Sequence, residues 1–210
     1  MRRIDIMMDI ETLGKGNNPP VFQIAACAFD IETRDILRTI NVVADARTFN
    51  NIEGDTLIWW LNTNNELLTK LLNDGCDSNN TEKDIIIQFV DWVNNLVNSY
   101  GVDPCKVYLW GNGILFDNRI ISGKCRQYGI TYPIAYTSDR DMRTIVELAS
   151  IKKGYSNDRE YRDSIENDGV LHDAFDDVKY QIKVVCQAYK DLEIWCKKRK
   201  NCFLTVLSFV

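Results

Sequence analysis

Asp9 and Glu11 stand two residues apart at the end of Ile4–Asp9, a stretch whose alternation reads as a β-strand. A period of two puts both side chains on one face, where they can share a cation. Asp5 has the same parity, but four residues at ~3.3 Å each place it roughly 13 Å away, too far for one metal centre. Taken alone, the D-x-E spacing fits a solvated strand face equally well. Asp117 falls in the first turns of a helix that follows Gly111-Asn112-Gly113, and its i+4 and i+8 neighbours are Ile121 and Cys125. A carboxylate on that apolar stripe is costly without partners, so it either accepts backbone hydrogen bonds at the helix start or binds a cation. The third group is Leu171-His172-Asp173-Ala174-Phe175-Asp176-Asp177-Val178, which opens a long helix. With Val178, Ile182, Val185, Tyr189 and Leu192 as the buried stripe, ~100° per residue puts Asp177 at its rim and Asp176 nearly opposite, in solvent. His172 would cooperate with Asp177 only from the loop or a frayed first turn; a lone histidine is as readily structural.

Together these acids impose a condition. Two carboxylates ~4 Å apart repel by about 4 kcal/mol at an effective dielectric of about 20. Asp9, Glu11, Asp117 and Asp177 therefore converge only if cations neutralise them or protons bind. Oxygen ligands select Mg²⁺ or Mn²⁺ over zinc. Two such ions ~4 Å apart would clamp a phosphodiester, one activating water and the other stabilising the departing oxygen, with His172 deprotonating that water.

The elements that must position these residues follow from patterning. Ile4–Asp9, Val21–Phe29 and Ile36–Val43 read as three leading strands, the last two forming a hairpin. Gly14–Pro20 is a loop. A helix from Asp55 ends where the Asn73–Asn80 stretch breaks it, and Thr81 with Asp84 caps a second helix that stops near Gly101. Lys106–Trp110 is a buried strand, Ile114–Tyr128 a helix and Thr131–Tyr136 a further strand. A helix over Asp141–Ala149, a polar loop at Lys152–Asp168 and a long helix from about His172 to Lys197 complete the chain. That order is an α/β fold: a mixed central sheet, three leading strands and then alternating helices and strands, flanked by helices.

The segments Asp9-Ile10-Glu11-Thr12, Trp110-Gly111-Asn112-Gly113-Ile114-Leu115-Phe116-Asp117-Asn118 and His172-x4-Asp177 resemble, in that order, the three motifs of DEDDh-type exonucleases in the DnaQ-like superfamily. Within it, W-G-N-G-x-x-F-D-N, Arg140–Thr144 and Trp59-Trp60 are similar to the phage exonuclease A and mycobacterial-type 3'-to-5' exoribonuclease group. The resemblance implies an RNase H-like fold and stepwise hydrolysis of a single-stranded nucleic acid from its 3' end, releasing nucleoside 5'-monophosphates. It also implies two divalent cations, with Asp9 bridging both, Glu11 and Asp177 on the nucleophile side, Asp117 on the second through water, and His172 as the base. Thr12 and Leu13 align with the segment that lies against the terminal nucleotide, Leu13 as a wedge between bases. It assigns residues 1–195 to the exonuclease domain and leaves 196–210 as an extension of unknown role, and it admits a homodimer. RNA and DNA both stay open as substrates.

Composition narrows the rest. At 210 residues, 45% hydrophobic and 26% charged, the chain suits one packed domain and excludes a fibrous or disordered protein. A net charge of −5 is no footprint of a nucleic-acid coat, so a polyanion must be handled locally. Arg140, Arg143, Lys152 and Lys153 could contact phosphates, though Arg143 could equally be a structural ion pair. Trp59, Trp60 and Trp110 read as core residues before stacking platforms. The tail from Lys197-Lys198-Arg199-Lys200 to Val210 reads as a basic arm, a packed extension or a solvated end. Asp5 and Asp9 interrupt any apolar leader, and Phe203–Val210 is far shorter than the ~20 residues that span a bilayer, so a cytoplasmic chain with no membrane partner is expected. Seven cysteines without a C-x-x-C pair and a single histidine speak for reduced thiols and against structural zinc or an HD-type phosphohydrolase. A catalytically silent binding module would show the loss of an acid or of His172, and none is lost.

Overall fold

A computed structural model describes residues 3–194. Its strands are β1 (Ile4–Thr12), β2 (Val21–Phe29), β3 (Ile36–Val43), β4 (Val107–Gly111) and β5 (Asp139–Asp141). Its helices are α1 (Gly54–Ser78), α2 (Glu82–Tyr100), α3 (Ile114–Tyr128), α4 (Met142–Lys153), α5 (Asp158–Asp163) and α6 (Ala174–Asp191). The sheet order is β3-β2-β1-β4-β5, with β1 antiparallel to β2 and parallel to β4. This is the mixed, helix-flanked sheet expected from the sequence.

The period of two in β1 divides the molecule. Ile4, Ile6, Met8 and Ile10 face a core shared with Ile85, Phe89 and Val93 of α2 and Ile120, Ile121 and Cys125 of α3. Met7 points the other way, into a core with Trp110, Met142 and Val146 of α4 and Val178, Ile182 and Val185 of α6. Every residue of β2 is buried, as a strand inside the sheet with helices on both faces requires.

Several boundaries differ from the sequence reading: β1 continues past Asp9 to Thr12, α4 runs on to Lys153 and α6 ends at Asp191, and four further differences have a packing reason. Helix α1 runs on through Asn73–Ser78 and ends at the left-handed Asn79. It holds because Gly75 lets the helix lie against the end of β3, where a Cβ would come 2.3 Å from the Ala44 carbonyl oxygen. The break lies instead at Asn64, which is non-helical and whose Oδ1 accepts the Leu67 N–H at 3.1 Å. Thr131–Tyr136 is not a strand: Pro133 can donate no ladder bond, Ile134 drops into the core, and three residues of β5 take the edge beside β4. The 152–168 loop contains α5, capped by Asn157 Oδ1 on the Glu160 N–H. Helix α6 starts at Ala174, so His172 precedes it. The tail expectation lies outside the described residues. Among those, no helix is long and apolar enough to cross a membrane.

Asp5 is buried, 2% exposed, and accepts from Arg3 Nε at 2.6 Å and Trp110 Nε1 at 2.7 Å. It is a structural carboxylate at the far end of β1, in agreement with the distance argument. Replacing Trp110 with Phe strips it of its indole donor and leaves a small cavity where the larger ring packed. We expect about 1–3 kcal/mol less stability by urea unfolding, and an unchanged midpoint would show that Arg3 alone satisfies the group.

Candidate active site

Strand β1 pairs with β4 only as far as Met7 and Trp110, but its antiparallel pairing with β2 continues, with Asp9 opposite Ala25 and Glu11 opposite Gln23. The last residues of β1 therefore project past the end of β4. Beyond that end the chain turns through Gly111-Asn112-Gly113 into α3, opening a crevice at the carboxyl ends of two parallel strands. Glycine is required in this turn. Gly113 has φ 99°, and a Cβ on Gly111 would sit 3.0 Å from Ile114 Cδ1 and 3.5 Å from Asp117 Oδ2. The first turn of α3 thus closes against β4 and delivers Asp117, 6% exposed, to the side of β1.

Helix α6 supplies the other wall. Gln23 Oε1, on the face of β2 shared with Glu11, accepts the Ala174 N–H at 3.3 Å and pins the start of α6. Asp173 caps the helix through the Phe175 N–H at 2.9 Å. Asp177 lies one turn in, and Gln181, another turn on, donates from Nε2 to Asp9 Oδ1 at 3.1 Å. His172 has φ 69°, a left-handed conformation that turns its backbone N–H onto Asp177 Oδ2 at 3.1 Å. Its ring meets Trp59 edge-on at 5.1 Å between centroids.

The result is a cluster. One ligand atom each from Glu11, His172 and Asp177 lies within 4.8 Å of the others. Asp9 and Asp117 join it electrostatically. Burial, then the charges of Asp117 and Asp177, hold Asp9 well above the usual carboxylate range, against the Gln181 hydrogen bond. Glu11 is raised by burial and then by Asp9, Asp177 and Asp117. Burial pushes Asp117 up to about 7, despite backbone N–H groups of Asp117 and Ile10, and Asp177 up to about 6, despite the His172 N–H. Burial lowers the His172 imidazole, which keeps it neutral. Four carboxylates and one imidazole, predominantly hard oxygen donors without a cation among them, suit a divalent ion. A cleft of about 410 Å³ opens over Asp9, Glu11 and Asp117, edged by Leu115, Phe116 and Arg143.

The other sequence candidates divide. Leu13 is 1% exposed, packed with Phe22 and Trp60, so it lies beneath the cleft and is not placed to wedge between bases. Thr12 donates from Oγ1 to the Gly14 carbonyl at 2.7 Å and accepts from Trp60 Nε1 at 3.3 Å. Arg143 is at the rim, but its Nη2 donates to Asp141 at 2.5 Å. Arg140 lies over Tyr108 and donates to backbone carbonyls; Lys152 and Lys153 pair with Glu193 and Asp191. Trp60 and Trp110 are buried, as expected, whereas Trp59 is 39% exposed beside His172, which the core reading did not anticipate. Gln181 and Gln23 were also missed. Gln181 stands four residues after Asp177, a spacing that could have disclosed it; Gln23 required the strand register.

Comparison with known proteins agrees with this geometry. A family model described as a 3'-5' exoribonuclease Rv2179c-like domain matches residues 4–189. An exodeoxyribonuclease of Enterobacteria phage T4 is 27% identical over 166 residues, 68% of this chain and 70% of its own. The nuclease domain of 3'hExo, a DEDDh family member solved with rAMP, superposes with a TM-score of 0.60 at 15% identity over 90% of this chain and 92% of that one. E. coli exonuclease I in complex with a dT13 oligonucleotide gives 0.57 at 13% identity, over 97% of this chain and 44% of the larger protein. Since the matched segment begins with β1 and ends within α6, enclosing every side chain of the cluster, the chain belongs to the Rv2179c-like 3'-5' exoribonuclease domain family and is a 3'-to-5' exonuclease.

Proposed function

We propose that the cluster hydrolyses the terminal phosphodiester of a single-stranded nucleic acid, RNA or DNA, and releases nucleoside 5'-monophosphates. The observation that carries this reading is the convergence of Asp9, Glu11, Asp117 and Asp177, each raised by burial or by the others, around a neutral His172. Such a site is under-neutralised as it stands.

Asp9, Glu11, Asp117 and Asp177 would hold two divalent cations, Mg²⁺ or Mn²⁺. When bound, such ions supply charge neutralisation at the phosphate and a more acidic water. The chain's own residues do the rest. His172 accepts a proton from the attacking water as the oxygen adds to phosphorus; the bond from phosphorus to the 3' oxygen breaks, and that oxygen takes a proton from solvent, which leaves a 3'-hydroxyl on the shortened strand. Gln181 holds the Asp9 carboxylate toward the cluster, and the His172 backbone N–H does the same for Asp177. Trp59 shields one edge of the imidazole and limits how it turns. Thr12, next to Glu11 at the end of β1, is the residue offered to the terminal nucleotide, with Leu13 supporting it from below.

The test is product analysis of matched 5'-labelled RNA and DNA oligomers with Mg²⁺, Mn²⁺ or EDTA. We expect a metal-dependent ladder shortening from the 3' end. Asp9→Asn should abolish it, His172→Ala should slow it by ~10²–10⁴, and Asp176→Asn should change little. An inactive Asp176→Asn beside an active Asp177→Asn would overturn the assignment of the α6 ligand.

A second prediction follows from the charges. Folded Asp117 and Asp177 titrate near about 7 and about 6, above the ~3.9 of an unfolded chain. Protons are thus bound more tightly in the folded state, and the stability this gives is complete below about pH 4 and lost as pH rises through 6 to 7. In EDTA the melting temperature should fall between pH 5 and 8, and Asp117→Asn should flatten that fall. Mg²⁺ or Mn²⁺ should raise the wild-type value at pH 8; a melting temperature indifferent to both pH and metal would mean that the acids do not repel.

A further inference from the structure

We propose that a groove along the exposed side of α3, continuous with the acid cleft, holds the nucleotides on the 5' side of the one being removed, with Tyr136 stacking on a base and Arg119 and Arg126 facing phosphates. The inference rests on the exonuclease reading and adds the path of the rest of the strand. With the scissile phosphate over the acids, that remainder must leave through an adjoining opening.

Among the described residues, two openings adjoin the cleft. One shares Arg143 with it and is walled by Glu147 and Asp158, while Arg143 is already paired with Asp141. The other shares Leu115 and is a cavity of about 350 Å³ that includes Arg119, Arg126 and Tyr136. On α3, Leu115, Arg119, Ser122 and Arg126 follow at i, i+4, i+7 and i+11, a stripe ~16 Å long at 1.5 Å per residue. It starts two residues before Asp117 and leads away from the acids.

The charges favour this second route. Arg126 forms no ion pair among the described residues, and Arg119 donates only to the neutral Asn17 Oδ1, at 3.2 Å. The acid in the groove, Asp139, accepts from Asn118 Nδ2, and Asn118 Oδ1 accepts from the Tyr132 hydroxyl. That network forms a fixed floor one residue from Asp117. Lining the same cavity is Tyr136, 92% exposed, a ring that no part of the described protein covers. Guanidinium groups that pair with no acid, beside an exposed aromatic and next to a phosphodiester site, make a binding surface for single strands. They also answer the question raised by a net charge of −5, because the positive field needed for a polyanion is local to this stripe.

The experiment compares kcat/KM on an octanucleotide and on a dinucleotide of the same sugar, for the full chain and for Tyr136→Ala and Arg126→Ala. The wild type should favour the octamer, and each variant should cut that advantage by about tenfold, the scale of one lost stacking or phosphate contact. Arg126→Ala should also flatten the dependence of log(kcat/KM) for the octamer on log[salt], by about 0.7. A ratio unchanged from wild type, whether or not the absolute rates fall, overturns the groove. So does a wild type without preference for length. Fluorescence anisotropy of a labelled octamer in EDTA separates this from the underlying reading. If the wild type releases no nucleotide but binds the octamer more tightly than both variants do, the exonuclease reading fails and the groove stands; equal binding by all three overturns it.

Discussion

Repulsion among four carboxylates is the constraint on which the rest of the structure depends. Asp9, Glu11, Asp117 and Asp177 come from three separate elements, and each loses solvation in reaching the others. No local propensity would assemble them. The two flanking cores, with β1 between them, must hold together what the charges would drive apart. The cost is tolerable because it is borne by a sheet whose central strands are almost wholly buried.

The protein does not relieve that repulsion with its own cations, although it has the means. Arg143 reaches the rim of the cleft, close enough to lower the Asp117 carboxyl slightly, but Asp141 takes its Nε and Nη2. Asp5, on the same strand and with the same parity, receives the opposite treatment, with Arg3 and Trp110 satisfying it completely. Of the acids of β1, the one far from the cleft is neutralised by the protein and those in it are left needing something else. A guanidinium seated among the four would stabilise the fold and fill the space that a metal needs.

How much of this was legible in the sequence depended on whether the signal was local. Strands β2 and β3, the capping box of Thr81 and Asp84, and the turn into α3 were read at or near their true limits because alternation, capping and glycine act within a few residues. The acids and His172 stand out in the sequence because their spacings place them at element ends. What failed was tertiary. The Asn-rich end of α1 stays helical because Gly75 packs against Ala44, just beyond β3, and the Thr131–Tyr136 run loses the sheet edge to β5. Leu13 and Trp59 exchange their expected environments, one buried and one exposed, because the surface of the cleft is set by how α1 lies across the end of β1.

The conformation of His172 shows why the cluster needs a loop at that point. Five residues before Asp177, an imidazole carried on the same regular helix would be turned ~140° away from it. By ending α6 at Asp173 and taking φ 69°, the chain brings the ring back to the acids and turns the preceding amide onto Asp177 in the same movement. A left-handed non-glycine residue costs ~1–2 kcal/mol, added at the point where charge repulsion is already greatest. Such strain persists only where its surroundings hold it. Here the hold is provided by Trp59 against the ring, Asp173 capping the helix, and Gln23 anchoring Ala174. The imidazole can therefore stay beside the acids and open to solvent without being free to swing away, which a histidine on a solvated helix would be.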